Sequence, residues 1–175
     1  LSLHDALPIF SLAIGFAFQD ILENTLSGIL LLFRQPFRSG DQIQVMDQVG
    51  TVEEINIRET RMTTFDGELV VVPNRDVYKN VIVVYTHNQL RRQDFVVGVA
   101  FESDTDEATR VITDALAEVE GVAPDPAPSA LVDELGTSTV NIRARFWSSP
   151  LRYDGLLTRD AAIKHVKLDL LYSEL

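Results

Sequence analysis

The feature that most constrains this chain is an apolar stretch, residues 10–33, that is interrupted by charge near its middle. It reads FSLAIGFAFQDILENTLSGILLLF, and Asp20, Glu23 and Asn24 are the interruptions. A simple lipid-facing span avoids charges at its centre, because each costs about 2.5–3.5 kcal/mol on membrane-insertion scales. We therefore predict two helical pieces that join near Gln19 and Asp20.

The first piece is rich in small residues and the second is amphipathic. Ala13, Gly15 and Ala17 permit close packing between helices, and Leu12 and Phe16 lie four residues apart and share a face. The second piece repeats large apolar side chains at helical spacing, as amphipathic helices do. From spacing alone, the Leu12 and Phe16 pair is more typical of a helix-bundle core than of a functional surface.

Each group of charged residues in and after this stretch has two possible roles. Asp20 and Glu23 could form a proton or cation site, but the solvated face of an interfacial helix is the preferred interpretation. Arg34 and Arg38 flank Pro36 directly after the apolar stretch, as basic residues do at a cytoplasmic membrane interface. They could bind anionic lipid head groups or serve only as topology charges. A buried helix of a soluble protein is the alternative for the whole stretch.

Residues 40–88 change to the alternating pattern of short strands. Asp66 and Gly67 form a strong hairpin signal between two of these strands. Five short strands in so little sequence predict a small, strongly bent barrel of the SH3-like or Sm-like type. The predicted strands cover residues 42–45, 49–57, 61–65, 69–72 and 81–85.

Residues 89–175 mix strand and helix patterns. Asp104 precedes Glu107 by three residues, which is capping-box spacing before an amphipathic helix, and Gly121 ends that helix. The order strand, helix, strand, strand, helix is ferredoxin-like but lacks a last strand, so the fold class is α+β. The predicted strands cover 95–101, 131–135 and 140–147, and the helices cover 105–119 and 156–170.

Composition excludes several classes of function. The chain has 26 acidic and 15 basic residues and a net charge of -11, which disfavours nucleic acid as a partner because phosphate contacts need Lys and Arg. The absence of cysteine excludes a disulfide scaffold, a thiolate zinc site and a Cys nucleophile. His4, His87 and His165 lie far apart and no catalytic or phosphate-loop motif occurs. We expect no catalytic residue, metal or cofactor.

The first nine residues, LSLHDALPI, look foreign to the rest of the chain. They match one reading frame of a common short-read sequencing adapter, and they lack the basic region and the small-residue cleavage site of a signal peptide. We expect native sequence to begin near Phe10 and interpret the chain as a fragment of a longer protein. An ordinary leader is the alternative.

The junction between the apolar stretch and the predicted barrel resembles the small-conductance mechanosensitive channel (MscS) family. The resemblance rests on GFAFQDILENTLSGILLLFRQPFRSGDQIQV, then GTVEEINIRETRMTTFDGELVVVPN, and later RRQDFVVGVAFESD. It extends from about residue 12 to residue 167. No single matched residue identifies the family, and the matches are specific only as an ordered set. The set is Pro36-Phe37-Arg38, Gly40-Asp41, Gly50-Thr51-Val52, Thr60, Asp66-Gly67, Pro73-Asn74 and Asn80.

The resemblance implies an inner-membrane channel that assembles as a homoheptamer, opens under bilayer tension, and releases ions and small osmolytes on hypo-osmotic shock. Membrane lipids, other copies of the chain and permeating solutes are then its partners. The family's pore-narrowing apolar rings fall on Leu12 and Phe16. Its close-packed small positions fall on Ala13, Gly15 and Ala17, its kink near Gln19 and Asp20, and its interfacial helix includes Asn24 and Gly28.

The implied organisation is a pore-lining and interfacial helix in residues 10–39, an Sm-like β-domain in 40–88 and an αβ vestibule domain in 89–175, with both domains cytoplasmic. Asp20 stands where family members often have a flexible Gly, and Phe16 is bulkier than the common Leu. We expect earlier transmembrane helices and a C-terminal strand to be missing from the chain. The alternative is a soluble Sm-like and ferredoxin-like oligomeric binding module without channel activity.

Overall fold

The computed structural model describes residues 3–173, with side chains described for residues 8–173. Most of the segment interpreted as foreign therefore lies outside the described side chains. The chain divides into two compact units, a first unit of residues 1–87 and a second unit of residues 88–175.

The first unit begins with one long helix, α1, which spans Leu3–Arg34 without interruption. The two predicted pieces are therefore continuous, without a break between them, and the kink that the resemblance implies near Gln19 and Asp20 stays a prediction. Neither Gln19 nor Asp20 blocks helical backbone geometry as a proline would. Hydrogen bonds from side chains also stabilise the helical turn that follows these two residues. Asn24 donates from Nδ2 to the carbonyl oxygen of Asp20 at 2.9 Å, and Gln19 donates to Glu23 at 3.4 Å.

A five-stranded antiparallel sheet follows α1 and confirms the five predicted strands. The strand order is β4-β3-β2-β1-β5, and the register shift in β2 between Val52 and Glu54 marks a bulge that bends the sheet. A short helix, α2, which the sequence analysis did not predict, lies between β4 and β5. The bounds are β1 Gln42–Val45, β2 Gln48–Ile55, β3 Glu59–Thr64, β4 Leu69–Pro73, α2 Asn74–Lys79 and β5 Ile82–Val84.

The core of the first unit joins α1 to the sheet. Leu31 of α1 is 2% exposed and belongs to the same apolar cluster as the strand residues. Phe37, from the segment after α1, is equally buried. One face of the C-terminal half of α1 is therefore part of the β-domain core, while Leu26, Ile29 and Phe33 on its other faces are exposed. The other buried members are Ile43, Val45, Val52, Met62, Val72 and Val77.

The second unit has a three-stranded antiparallel sheet and two helices, in the predicted order. The sheet order is β6-β8-β7, and the central strand β8 alternates between buried and half-buried residues along its length. Asp104 caps α3 as predicted, because its side chain accepts from the amides of Asp106 and Glu107. The bounds are β6 Arg91–Val99, α3 Thr105–Glu118, β7 Ser129–Leu135, β8 Val140–Ser148 and α4 Arg152–Tyr172.

One face of this sheet packs on the helices and the other has an ion-pair network. Phe95, Ile142 and Phe146 meet α3 and α4 in one apolar core. On β8, Arg143 bonds Asp94 of β6 at 2.7 Å and Asp133 of β7 at 2.5 Å. The hydrogen bond from Arg143 lowers the pKa of Asp133, so this network connects all three strands at neutral pH.

Candidate functional site

The N-terminal half of α1 is an apolar helix that is exposed within this chain. Leu12 is 62% exposed and Phe16 is 67% exposed. The segment Pro8–Arg34 has 27 residues and a mean hydropathy of 1.2, and is long and apolar enough to cross a membrane. Exposed apolar surface of this extent favours contact with lipid or with another protein chain.

Leu12 and Phe16 share one face of α1, as their spacing predicts. They line a shallow groove along the helix together with Gly15, Gln19 and Glu23. A Cβ atom added at Gly15 would have no atom within 4 Å, so this small position is open in the single chain. The predicted close packing at Ala13, Gly15 and Ala17 has no partner among the residues that the structure describes, and it stays a prediction.

A different face of α1 docks on the β-domain. A Cβ atom added at Gly28 would lie 1.9 Å from the carbonyl oxygen of Ile57 and 2.5 Å from Nδ2 of Asn74. No side chain fits in that space, so the glycine is what permits this close approach. Ser27 beside it is 7% exposed. Gly28, which the sequence placed in an interfacial helix, lies at the contact with the β-domain.

Asn74 organises the backbone at this contact. Its side chain is fully buried, accepts from the Thr60 hydroxyl at 2.8 Å, and donates to the carbonyl oxygen of Asn56 at 2.7 Å. A buried amide with these partners meets the general requirement that buried polar groups be hydrogen-bonded. The Pro73-Asn74 motif thus places α2 directly under α1.

Hydrogen bonds and ion pairs join α1 to α2. Asn24 accepts from the backbone amide of Arg75 at 3.0 Å, and Arg75 pairs with Asp20 at 2.7 Å. Glu23 pairs with Lys79 at 3.0 Å. Asp20, with 78% of its side chain exposed, does lie on a solvated face, and both carboxylates in addition have cationic partners on α2.

Sequence reasoning missed these partners because α2 is short and lies about fifty residues away in the chain. Two signals mark α2: Pro73 precedes it, and its charges run from Asp76 in the first turn to Lys79 in the last, as the helix dipole favours. Bonds to Asp76 and the nearby carboxylates raise the pKa of Arg75, so the cation is permanent. Arg34 and Arg38 lie beyond the docked segment, and both are exposed.

The comparisons with known proteins agree with this architecture. A family model described as "Mechanosensitive ion channel, beta-domain" matches residues 20–87, and one described as "Mechanosensitive ion channel MscS, C-terminal" matches residues 94–167. Together these two matches cover most of both units. The chain belongs to the MscS family of mechanosensitive ion channels.

Several relatives and solved structures are similar to the chain. An uncharacterized MscS family protein of Archaeoglobus fulgidus is 36% identical over 140 residues, which are 80% of this chain and 50% of the relative. A small-conductance mechanosensitive channel of Edwardsiella ictaluri is 33% identical over 81% of this chain and 50% of the relative. The chain thus spans about half the length of these curated relatives.

Solved structures show the same fold. The closed-state crystal structure of Helicobacter pylori MscS superposes with a TM-score of 0.87 at 29% identity, over 95% of this chain and 65% of that one. Arabidopsis thaliana MSL1 superposes with a TM-score of 0.82 at 22% identity, over 95% of this chain and 62% of that one. The predicted α+β class, with a helix followed by a β-domain and an α+β domain, is confirmed.

The first prediction concerns the close approach at Gly28. Gly28→Ala places a methyl group against the Ile57 carbonyl, so we expect α1 to detach partly from α2. Overpacking of this kind costs about 1–3 kcal/mol. Hydrogen–deuterium exchange in residues 74–79 measures the loss, because the Arg75 amide is bonded to Asn24. Gly15→Ala is the matched control, since its methyl meets open space, and equal protection in both variants would contradict the docking contact.

The second prediction concerns the Glu23 and Lys79 ion pair. A double-mutant cycle with Glu23→Gln and Lys79→Gln should give a small favourable coupling free energy, because both side chains are partly exposed and solvent weakens the pair. The coupling should vanish near 1 M salt, where screening acts within about 3 Å. The same exchange measurement detects it. A cycle of Glu23→Gln with Lys164→Gln serves as control, because Lys164 pairs with Asp160; coupling of equal size there would refute the pair.

Proposed function

We propose that this chain is a subunit of a mechanosensitive channel, with α1 as its pore-lining helix. The observation that supports this most is the contrast within α1. Its N-terminal half is exposed on every face, while its C-terminal half docks one face on the β-domain of an MscS-family chain and keeps Leu26, Ile29 and Phe33 exposed. A soluble binding module is disfavoured, because it would leave this apolar half in water.

The groove face of α1 is the proposed pore surface. In an assembly with that face toward the axis, Leu12 and Phe16 form successive apolar rings. Water leaves a narrow apolar neck, and ions cannot pass without their hydration shell, so such rings gate by dewetting. Opening would release ions and small osmolytes on hypo-osmotic shock.

The small residues of α1 provide the proposed contacts between copies. Gly15 has open space around it in the single chain, and Ala13 and Ala17 are exposed. Helices approach closely where such residues face one another, which supports self-association; the family resemblance implies a homoheptamer. Tension would favour the state with the larger membrane area. A shift of the ratio of open to closed channels from 1:99 to 99:1 needs about 5.5 kcal/mol.

Gln19 and Asp20 lie where the exposed half of α1 meets the docked half. We propose that the helix bends there in the assembled channel, because the docked half is held by Asn24 and Gly28 while the exposed half is free to tilt. Arg34 and Arg38 would then lie at the lipid interface. The proposed location is the inner membrane, in a multi-pass protein, with the β and αβ domains in the cytoplasm.

Phe16→Ser tests the pore assignment. A hydroxyl in the ring stabilises water in the neck, so the substitution should lower the tension at which the channel opens. Patch recordings of the full-length protein, in which this chain is the pore segment, measure the threshold.

Phe18→Ser is the matched control for that experiment. Phe18 is two residues further along, on the opposite side of α1, and is 53% exposed. It should not lower the threshold. An unchanged threshold in Phe16→Ser, or an equal decrease in both variants, would contradict the assignment of Phe16 to the pore.

A further inference from the structure

A cavity in the second unit is lined by four arginines. It has a volume of about 320 Å³ and lies between the start of β6, the loop after β8 and the start of α4. That volume is at the lower end of the range for small-molecule sites. The arginines are Arg91, Arg92, Arg152 and Arg159, and a single aspartate, Asp94, is on the same wall.

This concentration of positive charge is unusual in a chain with a net charge of -11. Asp94 does little to offset it, because Asp94 is already bonded to Arg143 at 2.7 Å. Within residues 8–173, Arg92 and Arg159 take part in no ion pair, whereas Arg91 and Arg152 each have an interaction of their own. Arginines gathered in one cavity repel one another, and an anion among them removes that repulsion.

The frame of the cavity is held in place by side-chain bonds. Gln93 donates from Nε2 to the Ser148 hydroxyl at 2.8 Å and to the carbonyl oxygen of Gly155 at 3.0 Å. A Cβ atom at Gly155 would lie 2.6 Å from that same nitrogen, so β6 and α4 meet closely at this point. The start of β6 and the start of α4 therefore form a fixed base for the cavity, and the four arginines on these two elements are exposed.

We propose that this cavity binds a phosphate-bearing polyanion of about diphosphate size. Guanidinium groups present forked donors that match phosphate oxygens in pairs. The cavity is larger than a single halide ion needs, and its walls supply guanidinium groups from two elements. This site does not depend on the proposed channel function. A soluble metabolite and a lipid head group share the recognised chemistry.

The fluorescence of Trp147 can report binding in this cavity. This residue is the only tryptophan of the chain and is the cross-strand partner of Arg92. Sodium pyrophosphate, added to the full chain in neutral detergent at constant ionic strength, should change the tryptophan emission saturably, and sodium chloride should not. Isothermal titration calorimetry of the same samples measures binding independently of the fluorescence.

The variant Arg92→Gln/Arg159→Gln should weaken pyrophosphate binding at least tenfold. Arg110→Gln is the matched control, because it removes one positive charge from the same unit at an arginine paired with Glu107 outside the cavity, and it should bind as the wild type does. Circular dichroism checks that both variants are folded. Unchanged binding in the double variant would overturn the proposal that the ligand is a soluble phosphate compound. The absence of any heat of binding with pyrophosphate would also overturn it.

A second experiment distinguishes a lipid head group from a soluble metabolite as the source of the phosphate. A short-chain phosphatidylglycerol, added in place of pyrophosphate, tests the lipid head group. Binding of this lipid that requires Arg92 and Arg159, without binding of pyrophosphate, would assign the site to lipid. If neither probe binds in a manner that depends on these arginines, the proposal is wrong.

Discussion

The close approach of Gly28 to the carbonyl of Ile57 determines how the rest of the first unit is arranged. A helix can come this near to the backbone of the loop between β2 and β3 only where it has no side chain. Once α1 is there, Leu31 reaches the apolar core, and Asn24 reaches the amide of Arg75. The buried Asn74 amide keeps the opposing loop in place through Thr60 and Asn56.

This contact divides α1 into a docked part, which is attached to the β-domain, and an exposed part, which is not. The docked part moves with the β-domain, because apolar packing, a backbone hydrogen bond and ion pairs join them. Among the described side chains, residues 8–19 of the exposed part make no such contact with the β-domain and are apolar on several faces. Under the proposed function, a change in lipid contact at the exposed part would reach the β-domain through the segment that contains Gln19 and Asp20.

Local patterns were sufficient to predict most of the elements. Alternation along residues 42–45 and 140–147 reflects burial on one side of a strand, and Asp104 before α3 is a capping signal that the structure confirms. The small size of α2 hid it, because six residues show no helical period. The partners of Asp20 and Glu23 were missed for a related reason, since pairing across fifty residues depends on tertiary structure.

The pore and packing residues were placed by family resemblance, and residue spacing alone would have assigned Leu12 and Phe16 to a buried core. What the structure adds is their exposure and their shared groove with Gly15. It also shows α1 as one continuous helix, in which Asp20 and Glu23 are paired with Arg75 and Lys79 of α2.

The most direct test of this account is a structure of the assembled full-length protein in lipid nanodiscs. The distance of each α1 side chain from the symmetry axis is the quantity to measure. We expect Leu12 and Phe16 to point toward the axis and to form its narrowest apolar rings, with Gly28 still against Ile57. Phe16 in contact with lipid while Phe18 points toward the axis would contradict it.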